Sequence, residues 1–374
     1  MDATAMRKHI LFIFITLALA WATSPVWAYE LVSEYTIPVD DNDHVLGSLR
    51  DNYLVYNRGY MVLYNGMGKR LFDRKINAAV TPTMSENGKF LGLVTYAGSG
   101  PNEFKTVRLE MLDPSGKVQW TLKQPVANRF VIADNGSFYG IEGVEGMSPT
   151  RIHLYDRYGN RSSIVPINNY HGLIVSPSGG RFLVDRALDG LEVYDTLGTL
   201  LANLPTAKNY MFDRDERYIA TFFNGNLHVY QDLKEVMTIK SSEIDIEDMA
   251  IDVKGNRAVL LASKRLEVFE LTTGKKLWEY PLLEEKQWFT SVDLSDDGQR
   301  IVCGMDINLG TLVAKEKRHV EGFVYLFPIG GQTMASRRLT YPRWGVGLPR
   351  VVFTSGGGAI MVETRDSIEK LRIK

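Results

Sequence analysis

A turn that keeps returning restricts the fold more than any other feature of this chain. Gly88, Gly136, Gly179, Gly255, Gly298 and Gly357 each sit in a polar reversal between two short apolar runs, and Asp213-Arg214-Asp215-Glu216 fills the place between Gly179 and Gly255. A second, offset series comprises Gly68, Gly116, Gly159, Gly198, Gly274 and Gly331, with Asp232-Leu233-Lys234 between Gly198 and Gly274. Most intervals run from roughly 36 to 48 residues, and the longest, Gly274 to Gly331, holds a loop insertion. The segment from Tyr170 to Leu204 shows one whole unit: two hairpins with apolar alternation, reversed at Ser176–Gly180 and Asp195–Gly198. Alternation and β-branched or aromatic residues favour strands, while glycine and aspartate permit the reversals. A four-strand unit at this period predicts an all-β chain built as a single β-propeller.

The units begin near His44, Asn77, Asn128, Tyr170, Lys208, Glu247, Gln287 and Arg350, which predicts eight four-stranded blades. Seven is the alternative, because the unit from His44 to Ile76 is compact. The last unit has three strands, Val351–Phe353, Ala359–Glu363 and Ser367–Ile373, and residues 30–37 are the expected donor of its fourth. Closing the ring this way joins the termini and removes a sheet edge.

The first 28 residues read as a signal peptide. Arg7 and Lys8 precede an apolar run from Ile10 to Trp21, and Val26 and Ala28 supply the small residues of a cleavage site. The run is shorter than the roughly 20 apolar residues of a membrane helix, so the expectation is a propeller of residues 29–374 in the periplasm or secreted, with no integral membrane segment after cleavage. The formal charge of −1 becomes about −2 once Asp2, Arg7 and Lys8 are removed, which gives no electrostatic reason to expect nucleic-acid binding. A single cysteine, Cys303, excludes an internal disulfide and reads as buried strand filler.

Leu271-Thr272-Thr273-Gly274-Lys275-Lys276-Leu277-Trp278 and Leu112-Asp113-Pro114-Ser115-Gly116-Lys117-Val118-Gln119-Trp120 share a G-K-x-x-W pattern. In this pattern the chain resembles the quinoprotein-like β-propellers, and its repeats are similar more generally to WD40-like sequences, without their recurring Gly-His and Trp-Asp signals. The resemblance implies inter-blade packing for Trp120 and Trp278. It also implies that a quinone cofactor with calcium is the group to look for, although no second cysteine and no alignable acidic and amide set accompanies it; none is predicted. Asp306-Ile307-Asn308 lacks the spacing of a calcium loop and reads as loop capping and turn formation.

In a propeller the connection between a blade's second and third strands shares a face with the connections between blades. The longest second-to-third connections, around Tyr96–Lys105, Gly143–Pro149 and Met305–Gly322, therefore crowd one face. The inter-blade entrances there add Arg129, His171, Asp248 and Trp288; Arg318 and His319, beside Lys315 and Lys317, lie in the third loop, and Arg343 and Trp344 precede the last blade. Aromatic residues with arginines suit a protein interface. His44, His153, His171, His228 and His319 carry no metal-binding spacing, so no metal site is predicted, and no nucleophile elbow, Walker or dinucleotide motif occurs. The expectation is a noncatalytic exported protein that binds a protein or cell-envelope component through the loop-rich face; a periplasmic oxidoreductase or lyase with a dispersed site is the alternative.

Overall fold

The computed structural model describes residues 29–374 except 41, 98–104, 124, 128, 144–149, 253–255, 308–319, 332 and 342–347. Its strands follow one another in sets of four. After β1 (Leu31–Pro38), blade 1 holds β2 (His44–Gly47), β3 (Asn52–Tyr56), β4 (Tyr60–Asn65) and β5 (Arg70–Lys75). Blade 2 is β6 (Val80–Met84), β7 (Leu91–Ala97), β8 (Lys105–Leu112) and β9 (Val118–Lys123), and blade 3 is β10 (Arg129–Ile132), β11 (Phe138–Glu142), β12 (Thr150–Tyr155) and β13 (Arg161–Ile167). Blade 4 is β14 (Gly172–Val175), β15 (Arg181–Asp185), β16 (Leu191–Asp195) and β17 (Leu200–Leu204), and blade 5 is β18 (Asn209–Phe212), β19 (Tyr218–Phe223), β20 (Asn226–Gln231) and β21 (Lys234–Lys240). Blade 6 is β22 (Asp248–Asp252), β23 (Arg257–Ala262), β24 (Arg265–Glu270) and β25 (Lys276–Pro281), and blade 7 is β26 (Gln287–Leu294), β27 (Arg300–Ile307), β28 (Val320–Pro328) and β29 (Ala335–Tyr341). Blade 8 is β30 (Arg350–Phe353), β31 (Ala359–Glu363) and β32 (Ser367–Ile373), completed by β1.

Eight four-stranded antiparallel sheets thus form the ring, which excludes the seven-bladed alternative. The N-terminal strand runs antiparallel to β32, from Leu31 opposite Ile373 to Pro38 opposite Ser367. Arg337 on β29 fastens this seam, donating to Leu31 O (3.1 Å) and to Glu369 Oε1 (2.7 Å).

The inner strands are apolar and buried in near-continuous runs, as in β15, β23 and β31, so they present apolar residues to both sheet faces, every blade is sandwiched between two neighbours and the core is a succession of inter-blade layers. Phe182 of blade 4 packs on Tyr139 of blade 3 with ring centroids 5.1 Å apart. Cys303 is fully buried in the layer with Leu294, Ile301 and Phe327, and burial raises its thiol well above the ordinary range. Asp306 corrects an expectation. It lies buried within β27, opposite Gly322, instead of capping a loop, because the buried strand that starts at Arg300 continues through Ile307.

The G-K-x-x-W pattern gains a geometric meaning. Trp278 on β25 lies over Gly331 in the corresponding turn of the next blade, where an added Cβ would come within 2.7 Å of the indole. Its Nε1 donates to Ile329 O at 2.6 Å. Trp120 does the same to blade 3, covering Gly159 and donating to Arg157 O at 2.7 Å. The turn glycine is needed twice, for its positive φ and for the ring above it. Where blade 5 replaces that glycine by Leu233, still at φ 65°, the facing residue of blade 4 is the small Ala202, so bulk has moved from one side of the contact to the other.

Candidate functional site

The two ends of the ring differ in how their polar groups are satisfied. One end carries the first-to-second and third-to-fourth turns of every blade, which are the two glycine series. Here the first turns hold hands around the axis. Ser48 N donates to Glu86 O (2.8 Å), Asn87 N to Asp134 Oδ1 (2.7 Å) and Asp134 N to Pro177 O (3.0 Å), and Ser178 donates to the Glu216 carboxylate. On the other side Gly356 N donates to Asp296 Oδ2 (2.8 Å) and Ser355 Oγ to Asp51 Oδ1 (2.8 Å).

Two arginines then cross the ring. Arg50 of blade 1 and Arg214 of blade 5, from opposite sides of an eight-membered circle, both bind Asp296 Oδ1 of blade 7, at 2.8 and 2.9 Å. Arg214 also reaches Asp293 Oδ1 at 2.7 Å and Leu294 O at 3.1 Å, and Arg50 Nε reaches Phe353 O at 3.0 Å. Burial pushes Asp293 above its ordinary value against the pull of both guanidinium groups. For Asp296 burial acts in the same sense, but the Gly356 amide and the two arginines outweigh it and the carboxyl sits below the usual range. These ion pairs bridge the axial opening at this end.

The opposite end carries the second-to-third and inter-blade connections. From blade 4 to blade 7 it presents large apolar side chains to solvent. Leu188, in the single helical turn Ala187–Asp189, is 91% exposed; Phe223, at the tip of the β19–β20 hairpin, 47%; Ile244, between blades 5 and 6, 68%; and Leu283, between blades 6 and 7, 91%. A chain of contacts holds these four on one arc. Thr206 Oγ1 donates to Leu188 O (3.2 Å), Lys208 N to Phe222 O (2.9 Å), and Lys208 Nζ pairs with Asp245 (3.1 Å). Gly225 N donates to Ile244 O (3.0 Å) and Leu282 N to Lys264 O (2.8 Å), and Ser263 Oγ donates to Glu247 Oε1 (2.7 Å).

The arc is anchored from below. Glu267, buried on β24, accepts hydrogen bonds from Ser241 Oγ (2.5 Å), Ser242 Oγ (2.6 Å) and Lys276 Nζ (3.1 Å). Burial pushes its carboxyl up, yet these donors outweigh burial and hold it below its ordinary value. A charged carboxylate therefore fixes the foot of the 241–247 connection, so Ile244 stands on a preorganised base.

The residues singled out from sequence are dispersed. Trp288 belongs to the arc's end, with Lys264 Nζ 4.3 Å above its ring, and Lys264 straps the connection by donating to Glu285 O at 2.6 Å. Asp248 faces the neighbouring blade, where its Oδ2 accepts Val292 N at 2.9 Å, and burial raises its pKa to about 6. Arg129 lies exposed at the entrance of blade 3, and His171 lies exposed at that of blade 4, where its N–H donates to Asp185 O (2.8 Å) beside the Ala187–Asp189 turn that carries Leu188. Arg318, His319, Arg343 and Trp344, with the three long loops, lie outside the described residues. His153 is buried and bonded to Glu142 Oε2 at 2.8 Å, and His228 pairs with Glu235 at 3.1 Å, so both are strand residues with local carboxylate partners. Leu188, Phe223, Ile244 and Leu283 do not stand out in the sequence, because they lie in short connections; their signal is an apolar residue at the tip of such a connection.

Comparison with known proteins gives the architecture a context. The chain is similar to BamB from Moraxella catarrhalis, with 12% identity and a TM-score of 0.56 over 92% of this chain and 100% of that one. It is similar to the C-terminal WD40 domain of Sif2, with 10% identity and a TM-score of 0.59 over 92% and 98%. A eukaryotic initiation factor follows with 10% identity and a TM-score of 0.52 over 83% and 90%. What they share is the β-propeller fold. No protein-family profile matches the chain and no curated protein matches its sequence. The WD40-like resemblance read from the repeats holds at the level of architecture. Among the described residues no helix is long and apolar enough to cross a membrane, and no group of three or more His, Cys, Asp or Glu is placed to hold a metal ion.

Proposed function

We propose that this propeller is a noncatalytic binding protein, exported to the periplasm or beyond, that docks a protein or cell-envelope partner on the loop-rich face of blades 4 to 7. One observation carries the reading: four large apolar side chains stand exposed on connections of one face, from blade 4 to blade 7, with the connection that carries Ile244 fixed by Glu267. Large apolar side chains gathered in water on one face suit an interaction site. The fold is shared with proteins as different as BamB and a WD40 domain, so architecture alone assigns no activity. Export rests on the charge and apolar pattern of the first 28 residues.

The test is chemical crosslinking in the source envelope, with the crosslinked residues mapped, followed by titration of the identified partner against Leu283→Asp and Ile244→Asp. The expected loss is about 2 kcal/mol, or roughly thirtyfold in affinity, for an anchor at the centre of the contact. Because both side chains are exposed, thermal unfolding should stay within about 0.5 kcal/mol of the parent protein. Crosslinks confined to the glycine-turn face, with full affinity in both variants, would overturn the assignment.

A further inference from the structure

The outer strand of each blade ends its sheet, and its outward row of backbone N–H and C=O groups can template a further strand unless something blunts it. Seven of the eight outer strands are blunted by charge: Arg70, Asp73, Arg74 and Lys75 on β5, Lys123 on β9, Arg161 on β13, Lys234, Glu235 and Lys240 on β21, Lys276 and Glu279 on β25, Arg337 and Arg338 on β29, and Glu34 on β1. Proline adds to this at Pro166, Pro281 and Pro38. Strand β17, Leu-Leu-Ala-Asn-Leu, has neither. No Asp, Glu, Lys or Arg occurs from residue 196 to 207, and Leu197, Leu200 and Leu201 are 68, 45 and 40% exposed. No strand lies beyond β17 in its sheet. The register shift opposite Val193 and Tyr194 that places Leu201 as a bulge recurs in β5, β9, β13, β21 and β25, so it does not set this edge apart.

A second feature adjoins the same edge. Leu197 and Thr196, just before β17, line a cleft of about 340 Å3 between blades 3 and 4, whose other wall includes Tyr139, Leu154 and Tyr155, with Asp156 and Arg157 also lining it. The end of the uncharged edge thus adjoins a cavity that offers aromatic and aliphatic carbon beside one carboxylate and one guanidinium.

We propose that blade 4 accepts a fifth strand: an extended, uncharged segment of a partner protein pairs along β17 and places an apolar side chain from its end into the cleft beside Leu197. The backbone row selects an extended conformation, since only a strand matches its donor and acceptor spacing. The missing charges select the composition, because an ionic segment would lose hydration against Leu200 and Leu201 without gaining an opposite charge. The site is distinct from the apolar arc, which lies on the loop-rich face.

Hydrogen exchange read by NMR on the full mature chain tests this, with an acetylated and amidated alternating Thr-Val octapeptide ending in Phe as the probe. The expected result is at least about tenfold slower exchange for β17 amides, with no comparable change in β9, β13 or β21. Leu200→Lys should abolish the protection, and so should Asn203→Lys, which alters an exposed polar residue and guards against a folding defect in the first variant. Leu283→Asp should leave it intact, which separates failure here from failure of the loop-face reading. Equal protection on every outer strand, or none on β17, would overturn the proposal. So would protection without the probe that grows with protein concentration alongside a dimer by light scattering, since the occupant would then be a second copy of this chain.

Discussion

The two ends of this ring are made from the same repeat and have opposite chemistry. At the glycine-turn end, polar groups are spent on each other: turn bonds to turn around much of the circle, and Arg50 and Arg214 meet on Asp296 across the axis. At the loop-rich end the connections of blades 4 to 7 are also bonded to one another, through backbone and through side chains such as Lys208 and Ser263, leaving Leu188, Phe223, Ile244 and Leu283 in water. Ion pairs that cross the axis therefore lie at one end, where the exposed apolar side chains Met67, Tyr158 and Leu197 stand on third-to-fourth turns, while at the other end the exposed apolar side chains stand on the connections of neighbouring blades. A ring of eight blades needs some device to fix its closure and its axis, and on the function proposed above, placing that device on one face leaves the second to a partner.

The largest test of this division is Asp293→Ala. The substitution removes the acceptor of Phe353 N (2.8 Å) and a partner of Arg214, and leaves the largely buried Arg50 and the half-exposed Arg214 with Asp296 as their remaining carboxylate. Leaving the Phe353 amide without its acceptor and the arginines one carboxylate short costs about 2 kcal/mol, to be read as a lowered thermal or denaturant midpoint. Partner affinity per folded molecule should be unchanged; a loss of affinity matching the loss of stability would mean that the two ends are not independent.

Trp278→Phe sharpens the comparison at smaller amplitude. The phenyl ring keeps most of the cover over Gly331 but cannot donate to Ile329 O. The expected cost is about 1 kcal/mol, the usual worth of one such hydrogen bond, in chemical denaturation. An effect several times larger would show that the indole contributes mainly by its bulk.

Sequence revealed the ring and concealed the site, and the residues show why. The described turns of the first series reach positive φ, which glycine marks openly, as at Gly179; where Glu216 takes that conformation at φ 58°, the surrounding aspartates still betray the turn. Repetition multiplied this signal until blade number, and the pairing of β1 with β32, followed from counting. The cross-axis ion pairs left no such trace, because Arg50, Arg214 and Asp296 are separated by long stretches of chain and only the closed circle brings them together. The apolar arc was hidden for a related reason. A leucine such as Leu283 looks like core in sequence, and only the end of β25 shows that nothing covers it. Asp248 was expected on the binding face from its place at a blade entrance, whereas its side chain turns to the amide of Val292 in the adjoining inner strand.

Asp248 supplies the smallest effect and the finest probe, because it stands at the foot of the loop-rich end yet behaves like the groups at the other. Its carboxyl accepts two backbone amides, Met249 N and Val292 N, both at 2.9 Å, while burial raises its pKa to about 6. The unfolded chain titrates near 3.9, so between about pH 4 and pH 6 the folded protein holds the extra proton. Its contribution to stability is complete below that window and is lost as pH rises through it. Glu267, at the other foot of the same connection, is shifted the opposite way, and its contribution is present at neutral pH and lost on acidification. Asp248→Asn keeps an oxygen acceptor for Val292 N and removes the ionisation. Stability measured by urea unfolding should then fall less between pH 4 and pH 6 than in the parent protein, by about 1 kcal/mol after allowing for solvent that reaches the half-buried group. An unchanged slope would mean that Asp248 is ionised throughout this window, held so by the two amides, and that its environment is as polar as that of the ion pairs across the axis.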